Sequence, residues 1–78
     1  MRFGELLKFL RQKKGISQYK LSEMIGYDRR TIILWEQGKH SPPVDEAVIV
    51  INRLGGNLNM LYDEEIANRA RCETRNRG

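Results

Sequence analysis

Residues 18–38, QYKLSEMIGYDRRTIILWEQG, constrain the fold of this chain more than any other segment. They have the pattern of two short helices joined by a tight turn at Gly26, because glycine readily takes the left-handed conformation that ends a helix within one residue. Asp28 is a favourable N-cap for the second helix, and Gly38 is placed to end it. Residues 29–31, Arg-Arg-Thr, follow the cap and can donate hydrogen bonds outward. We therefore expect the second helix to present its first turn at the surface.

Helical periodicity continues on both sides of this segment. It predicts helices over residues 2–14, 18–25, 29–37 and 44–54, and a fifth that begins at Leu58 and extends to about Ala70. The apolar positions on which these assignments depend are Phe3, Leu6, Leu7, Phe9, Leu10, Leu21, Met24, Ile25, Ile32, Trp35, Ala47, Val48, Val50, Ile51, Leu54, Leu58, Leu61, Tyr62, Ile66 and Ala70. The fourth helix is nearly apolar, so we expect it to be the central buried element. No useful stretch alternates with the period of a strand, and the predicted fold class is all-α.

The length of 78 residues allows one small domain. We assign residues 1–70 to this domain and residues 71–78 to a basic, flexible tail. A domain of this size has a thin core, so association would stabilise it. No apolar run could span a membrane, and the N-terminus lacks the apolar region of a signal peptide. The single cysteine, Cys72, excludes an internal disulfide and fits a reducing cytoplasm.

The charge of the chain is consistent with a polyanionic partner without requiring one. Fourteen Lys and Arg against ten Asp and Glu give a net charge of +4. Basic residues cluster at positions 11–14, 20, 29–30, 39–40 and 69–77, and acidic residues cluster at positions 45–46 and 63–65. We infer a small domain whose two sides carry charges of opposite sign.

The two central helices meet the geometric needs of DNA recognition. A helix in the major groove needs a second helix that crosses the DNA backbone and a tight turn between the two. Arg29 and Arg30 can each offer paired donors to guanine O6 and N7, and Leu34, one turn beyond Arg30, can pack on a thymine methyl group. Gln18, at the start of the preceding helix, can reach a phosphate together with the backbone N–H groups there.

These features resemble a known family. Residues 10–43, LRQKKGISQYKLSEMIGYDRRTIILWEQGKHSPP, are similar to the helix-turn-helix family of phage repressors, Cro proteins and xenobiotic-response-element (XRE) regulators. The matching positions are Arg11, Gly15, Ile16, Ser17, Gln18, Leu21, Gly26, Ile32, Trp35, Glu36, Gly38, Lys39 and Pro42. The resemblance covers about residues 3–62. It implies a five-helix, lambda-repressor-like DNA-binding domain, here with an extended C-terminal helix.

The resemblance also implies roles for individual side chains. Arg29, Arg30 and Leu34 would contact DNA bases from the second helix of the motif, the recognition helix. A larger set would contact the DNA backbone: Gln18, Thr31, and Gln37 or Lys39 by resemblance, and Lys20 and His40 by their position. Arg11 and Glu36 match a pair that bridges helices one and three in relatives, so we expect an ion pair that orients the recognition helix.

One departure from the family pattern affects base recognition. Ile33 and Leu34 are apolar where relatives often carry polar base-reading side chains. Hydrogen-bonded readout would therefore depend mostly on Arg29 and Arg30, and the expected site pairs guanines with nearby thymine methyl groups.

A second departure concerns association. Leu6 and Phe9 are apolar where relatives are often polar, and they widen the apolar face of helix one. Either the fifth helix folds back over helix one, or both residues meet a second subunit. A homodimer would fit a pseudo-palindromic operator whose half-sites lie about one helical turn, ~34 Å, apart. The apolar stripe of the fifth helix, which includes Leu61, is another candidate for the dimer contact.

Other classes of function fit the sequence less well. An enzyme is not expected, because His40 is the single histidine and no carboxylate pair has a convincing catalytic position, and we predict neither a metal site nor a cofactor. A non-specific, chromatin-like binder would show no sequence preference. An antitoxin would bind a toxin protein through the C-terminal helix and repress its own operon, a role that is compatible with DNA binding. The chain could also be the DNA-binding part of a longer regulator.

The sequence thus predicts a transcriptional regulator, a repressor, that reads double-stranded DNA in the major groove with residues 28–37. Its expected partners are an operator and a second copy of the chain, with a toxin protein as the alternative partner. We expect it in the cytoplasm, on the nucleoid of a prokaryote or phage host.

Overall fold

The computed structural model of the chain describes residues 1–63, and over that range the protein is all-α, as the sequence predicts. It contains α1 (Phe3–Lys13), α2 (Gln18–Ile25), α3 (Arg29–Glu36), α4 (Val44–Arg53) and a 3-10 helix (Leu58–Tyr62). The four α-helices agree with the predicted segments to within one residue at each end. None of the helices in residues 1–63 is long and apolar enough to cross a membrane.

Short caps set the boundaries of the two central helices. The Ser17 hydroxyl accepts a hydrogen bond of 3.0 Å from the backbone N–H of Lys20 and begins α2. Gly26 ends α2 with a φ of 78°, the left-handed region that residues with a β-carbon rarely adopt. The Asp28 carboxylate then begins α3 by accepting a hydrogen bond of 3.2 Å from the backbone N–H of Arg30. The tight turn predicted at Gly26 is therefore present.

The core is built around α1. Its buried members are Leu6, Leu7, Phe9, Leu10, Leu21, Ile32, Trp35, Val50, Ile51 and Leu54. α1 is the central element, since it packs against α3, α4 and the 3-10 helix. Leu6 and Phe9 are both buried within the described residues, so a second subunit is not needed to cover them.

The prediction that α4 is the central buried helix is wrong. α4 buries one face, which includes Ala47, Val50 and Ile51. On its other side Val44 is 74% exposed and Ile49 is 59% exposed. An apolar composition does not show whether a helix is surrounded, and a small domain has too few elements to cover every side of each helix.

The predicted fifth α-helix is also wrong over its described part. Leu58–Tyr62 form a 3-10 helix, and Asp63 after it is extended, with a φ of −88° and a ψ of 110°. Leu58 and Leu61 both pack against the core, and their spacing of three residues matches the roughly three residues per turn of a 3-10 helix. Leu61 is thus half-buried against the core, while Tyr62, also a member of the predicted apolar stripe, is 85% exposed.

The remaining C-terminal predictions concern residues beyond Asp63. The continuation of the fifth helix over residues 64–70 and the basic tail over residues 71–78, with Cys72, lie outside the described residues. The toxin-binding alternative was assigned to this same C-terminal helix, so most of the surface that it requires lies there too.

α1 and α3 approach each other closely at Gly4. A β-carbon at this position would overlap the backbone carbonyl oxygen of Trp35 and would lie 3.2 Å from the Cα atom of Glu36. Glycine in the first turn of a helix is otherwise unfavourable relative to alanine. The close approach explains the glycine, because any side chain here would push α1 away from α3.

Gly4→Ala should lower the free energy of unfolding by about 1–3 kcal/mol, in spite of the better helix propensity of alanine, because the packed backbone at Trp35 would have to move. Urea unfolding followed by circular dichroism measures this loss.

Gly56→Ala is the matched control. The three atoms nearest to a β-carbon at Gly56 would all belong to side chains, Leu10 Cδ1 at 2.7 Å, Met60 Sδ at 3.0 Å and Ile51 Cγ2 at 3.3 Å, and side chains can rotate or shift where a backbone carbonyl cannot. We expect a smaller loss than for Gly4→Ala, and a Gly4→Ala protein as stable as wild type would contradict the close approach.

Candidate nucleic-acid interface

α3 buries one side and exposes the other. Ile32 and Trp35 are buried in the core, while Arg29 and Arg30 are exposed in the first turn. Leu34 is half-buried and follows Arg30 by four residues, so the two share a side of the helix. The three side chains predicted to contact bases are therefore all at least partly accessible on α3.

Aromatic rings hold α3 against the rest of the domain. The ring of Trp35 meets Phe3 edge to face, with 5.7 Å between the centroids, and meets Tyr27 in a similar way at 4.8 Å. Phe3 belongs to α1, and Tyr27 belongs to the turn that precedes α3. Trp35 is thus packed from two directions, which fixes the orientation of α3.

The carboxylate of Glu36 joins three helices at the end of α3. Arg11 of α1 donates to both carboxylate oxygens, from Nε at 2.7 Å and from Nη2 at 3.0 Å. The side-chain amide of Gln18, at the start of α2, donates to the same carboxylate at 3.1 Å. The Arg11 and Glu36 side chains are 12% and 4% exposed. The ion pair expected from the sequence is present, and it is nearly buried.

A cleft of about 440 Å³ opens beside this ion pair. It lies between α1, the start of α2 and the end of α3, and its lining includes Lys8, Arg11, Ser17, Gln18, Ile33 and Gln37. Gln18 and Gln37, two of the predicted backbone contacts, therefore meet in one place. The amide nitrogen of Gln18 carries two hydrogens, so one remains available for a phosphate after the bond to Glu36.

Lys8 is a member of this cleft that the sequence analysis missed. It is half-buried and lies three residues before Arg11, so both side chains are on the same side of α1. Because Arg11 was expected to lie beside α3, this spacing could have placed Lys8 next to the same site from the sequence alone. A lysine beside the first turn of α2, where backbone N–H groups carry partial positive charge, makes the cleft favourable to an anion.

The other predicted backbone contacts do not line the cleft. Lys39 and His40 are exposed directly after α3, where their backbone N–H groups both donate to the carbonyl oxygen of Leu34, at 3.0 and 3.4 Å. Lys20 is exposed in the first turn of α2, and Thr31 is half-buried on α3. Within residues 1–63, no group of three or more His, Cys, Asp or Glu is placed to hold a metal ion.

Two further contacts, which the sequence analysis did not identify, connect the central helices to α4. The Glu46 carboxylate raises the pKa of Tyr27 above its ordinary value, because only the neutral phenol can donate a hydrogen bond to it and because a phenolate would face its negative charge. Arg53 at the end of α4 donates to the carbonyl oxygen of Met24 in α2 at 3.0 Å. Local sequence patterns carry no signal for these contacts, which depend on how α4 packs.

Removing one partner of the buried ion pair should destabilise the domain strongly. Glu36→Leu leaves the guanidinium of Arg11 nearly buried without its carboxylate, at a cost of about 3–5 kcal/mol. The double variant Arg11→Met with Glu36→Leu should be more stable than Glu36→Leu alone, since it contains no uncompensated charge. Denaturant unfolding of wild type, both single variants and the double variant gives the coupling free energy. Purely additive losses would show that the two residues act independently.

The raised pKa of Tyr27 predicts a loss of stability in alkaline solution. Its contribution is fully present below the unfolded pKa of about 10 and is lost as the pH rises through the higher folded value. The free energy of unfolding should fall above pH 10, and both Tyr27→Phe and Glu46→Gln should make that fall shallower. Unfolding curves across this pH range provide the measurement, and an unaltered slope in both variants would exclude this coupling.

Comparisons with known proteins agree with this geometry. The profile of the helix-turn-helix family matches residues 7–61. A protein of Thermococcus kodakarensis that is named as an HTH-type transcriptional regulatory protein is 31% identical to this chain over 64 residues. The match covers 82% of this chain and 18% of that relative, so the chain spans less than a fifth of the relative's length. No solved structure matches the chain.

Proposed function

Because the chain belongs to the helix-turn-helix family, we propose that it is a sequence-specific repressor that reads the major groove with α3. Membership of this family makes the chain a DNA-binding transcription regulator and not an enzyme, as the sequence predicts. The observation that carries the finer proposal is the exposed pair Arg29 and Arg30 at the start of a helix whose other end is fixed by Trp35 and Glu36.

Base recognition is assigned to the outward side of α3. Arg29 and Arg30 would each donate two hydrogen bonds to O6 and N7 of a guanine, and Leu34 would contact a thymine methyl group. The partly exposed Ile33 extends this surface with a second apolar side chain. A mixed arginine and apolar surface supports a site in which guanines lie next to thymines.

Contacts to the DNA backbone are assigned to both flanks of α3. One phosphate would occupy the cleft beside the ion pair, where Lys8, Gln18 and Gln37 converge. Lys39 and His40 would meet the backbone from the loop that follows α3. Lys20 and Thr31 are proposed as additional backbone contacts.

The proposed assembly is a homodimer on a pseudo-palindromic operator. A two-fold dimer places two recognition helices in successive major grooves on one side of the duplex, with half-sites about 34 Å apart. The order of α1 to α4 supports a lambda-repressor-like plan in which the 3-10 helix occupies the place of the expected fifth helix. Repression would follow from occupation of the operator.

Arg29→Ala and Arg30→Ala should each reduce the affinity for the selected site by about 1–3 kcal/mol and relax the preference at particular base pairs. Lys39→Ala should instead weaken binding to all sequences alike and reduce the dependence of affinity on salt, because it removes a phosphate contact. Selection of bound sequences from random DNA, followed by titrations at several salt concentrations, distinguishes the two outcomes.

Asn59→Ala is the control, because Asn59 is exposed on the 3-10 helix and outside every proposed contact. It should bind like wild type. If both arginine variants kept full affinity and selected the same site, the assignment of α3 to the major groove would be wrong.

A further inference from the structure

α4 carries an apolar face that the other described elements leave uncovered. Val44, Val48 and Ile49 are 74%, 37% and 59% exposed, and they account for three of the five large hydrophobic side chains that are exposed within residues 1–63. By helical periodicity, Asp45 and Asn52, both exposed, lie on the same outward side as Val48 and Ile49. We call these four residues, with the flanking Val44 and Arg53, the α4 face.

Charge is distributed unequally along the α4 face. Asp45 and Glu46 lie in the first turn of α4, and Arg53 lies in the last. Two parallel copies of α4 would place acidic residues against their own copies, which is repulsive. Two antiparallel copies would place the acidic end of each helix beside the basic end of the other and would also pair opposite helix dipoles. The α4 face is therefore complementary to itself in one orientation.

We propose that the α4 face is the surface through which two copies of this chain associate, as an antiparallel pair of α4 helices around a two-fold axis between Val48 and Ile49. Val48 of each copy then packs on Ile49 of the other. Asp45 of each copy faces Asn52 of the other, with Arg53 next to it. Such a contact is isologous, because the same patch serves both subunits.

The α4 face differs from the dimer surfaces that the sequence suggested. Leu6 and Phe9 are buried inside the domain, so neither is free for a partner, and Leu61 is half-buried against the core. The exposed apolar side chains of α4 cover much less than the ~800 Å² per partner of a standard interface. We therefore expect weak association in free solution, which two adjacent half-sites on one DNA molecule strengthen by raising the effective concentration.

The α4 contact would join the two subunits of the proposed repressor, and it rests on that proposed function only for its role on DNA. Self-association itself requires no operator. The two proposals can therefore fail independently.

The test introduces opposite charges at Val48 and Ile49 in the full chain, because these two residues would face each other across the two-fold axis. Val48→Lys and Ile49→Glu should each raise the dissociation constant of the dimer about tenfold or more, because each introduces an unpaired charge into both halves of a desolvated contact. The double variant should recover association, since the introduced lysine of one copy then faces the introduced glutamate of the other. Sedimentation equilibrium over a wide range of protein concentration measures the dissociation constant of the wild type, of both single variants and of the double variant.

Tyr19→Lys is the matched control, because Tyr19 is 60% exposed on α2 and lies outside the α4 face. It should associate like wild type, and circular dichroism should show every variant folded. Association that is equal in the wild type, both single variants and the double variant overturns the proposal. A wild type that stays monomeric at millimolar concentration also overturns it. If the Val48 and Ile49 methyl groups of such a monomer are shielded from a soluble paramagnetic agent, the chain itself covers the face.

DNA binding separates this proposal from the proposed function. Val48→Lys and Ile49→Glu should bind a single half-site with the wild-type sequence preference but lose cooperative binding to two half-sites. A wild-type protein without sequence preference would overturn the proposed repressor function and leave the α4 contact intact.

Discussion

The position of α3, the proposed recognition helix, depends on the hydrogen bonds that converge on Glu36. Its carboxylate is 4% exposed and accepts from Arg11 of α1 and from Gln18 of α2, so one buried acceptor connects three helices. A charged group that is almost fully buried is costly to leave without partners. A movement of α3 that breaks these bonds therefore costs more free energy than the loss of a contact at the surface.

The ion pair determines geometry more than it adds net stability. Desolvating two charges offsets much of their attraction, so burial of apolar side chains such as Ile32 and Trp35 must supply most of the free energy. Gly4 contributes by letting α1 lie directly against the backbone of α3. α3 has eight residues and is about 12 Å long, so fixing its C-terminal end also fixes the arginines at its start.

Features set by local chemistry were predictable from the sequence. The boundaries of α2 and α3 follow from Ser17, Gly26 and Asp28, whose caps and turn act within a few residues. The central role of α1 and the 3-10 form of Leu58–Tyr62 were not predictable in this way, because they depend on which neighbours cover each face. Hydrophobic periodicity identifies an apolar face but does not say how completely it is buried.

The residues of the candidate site differ in the same way in how far they could be predicted. Residues on the motif itself, such as Arg29 and Arg30, can be identified from their distance to a cap. Lys8 and the Tyr27–Glu46 contact belong to other elements that the tertiary fold brings beside the motif. Packing between distant segments decides these contacts, and no pattern within a single helix encodes them.

The side chain of Gln18 connects the proposed phosphate site in the cleft to the Glu36 carboxylate that holds α3. Its amide nitrogen donates to Glu36 with one hydrogen and, in the proposed complex, to a phosphate with the other. A phosphate in the cleft and the carboxylate that holds α3 are thereby kept at a fixed separation. Backbone contacts carry no sequence information of their own, but they set the register in which base contacts are made. If the protein were shifted by one base pair along the groove, an equivalent phosphate would reach Gln18, because the backbone repeats at every base pair, and only the base contacts of Arg29 and Arg30 would be lost. In the proposed complex the phosphate contact therefore sets the distance and orientation of α3, and the base contacts select the sequence.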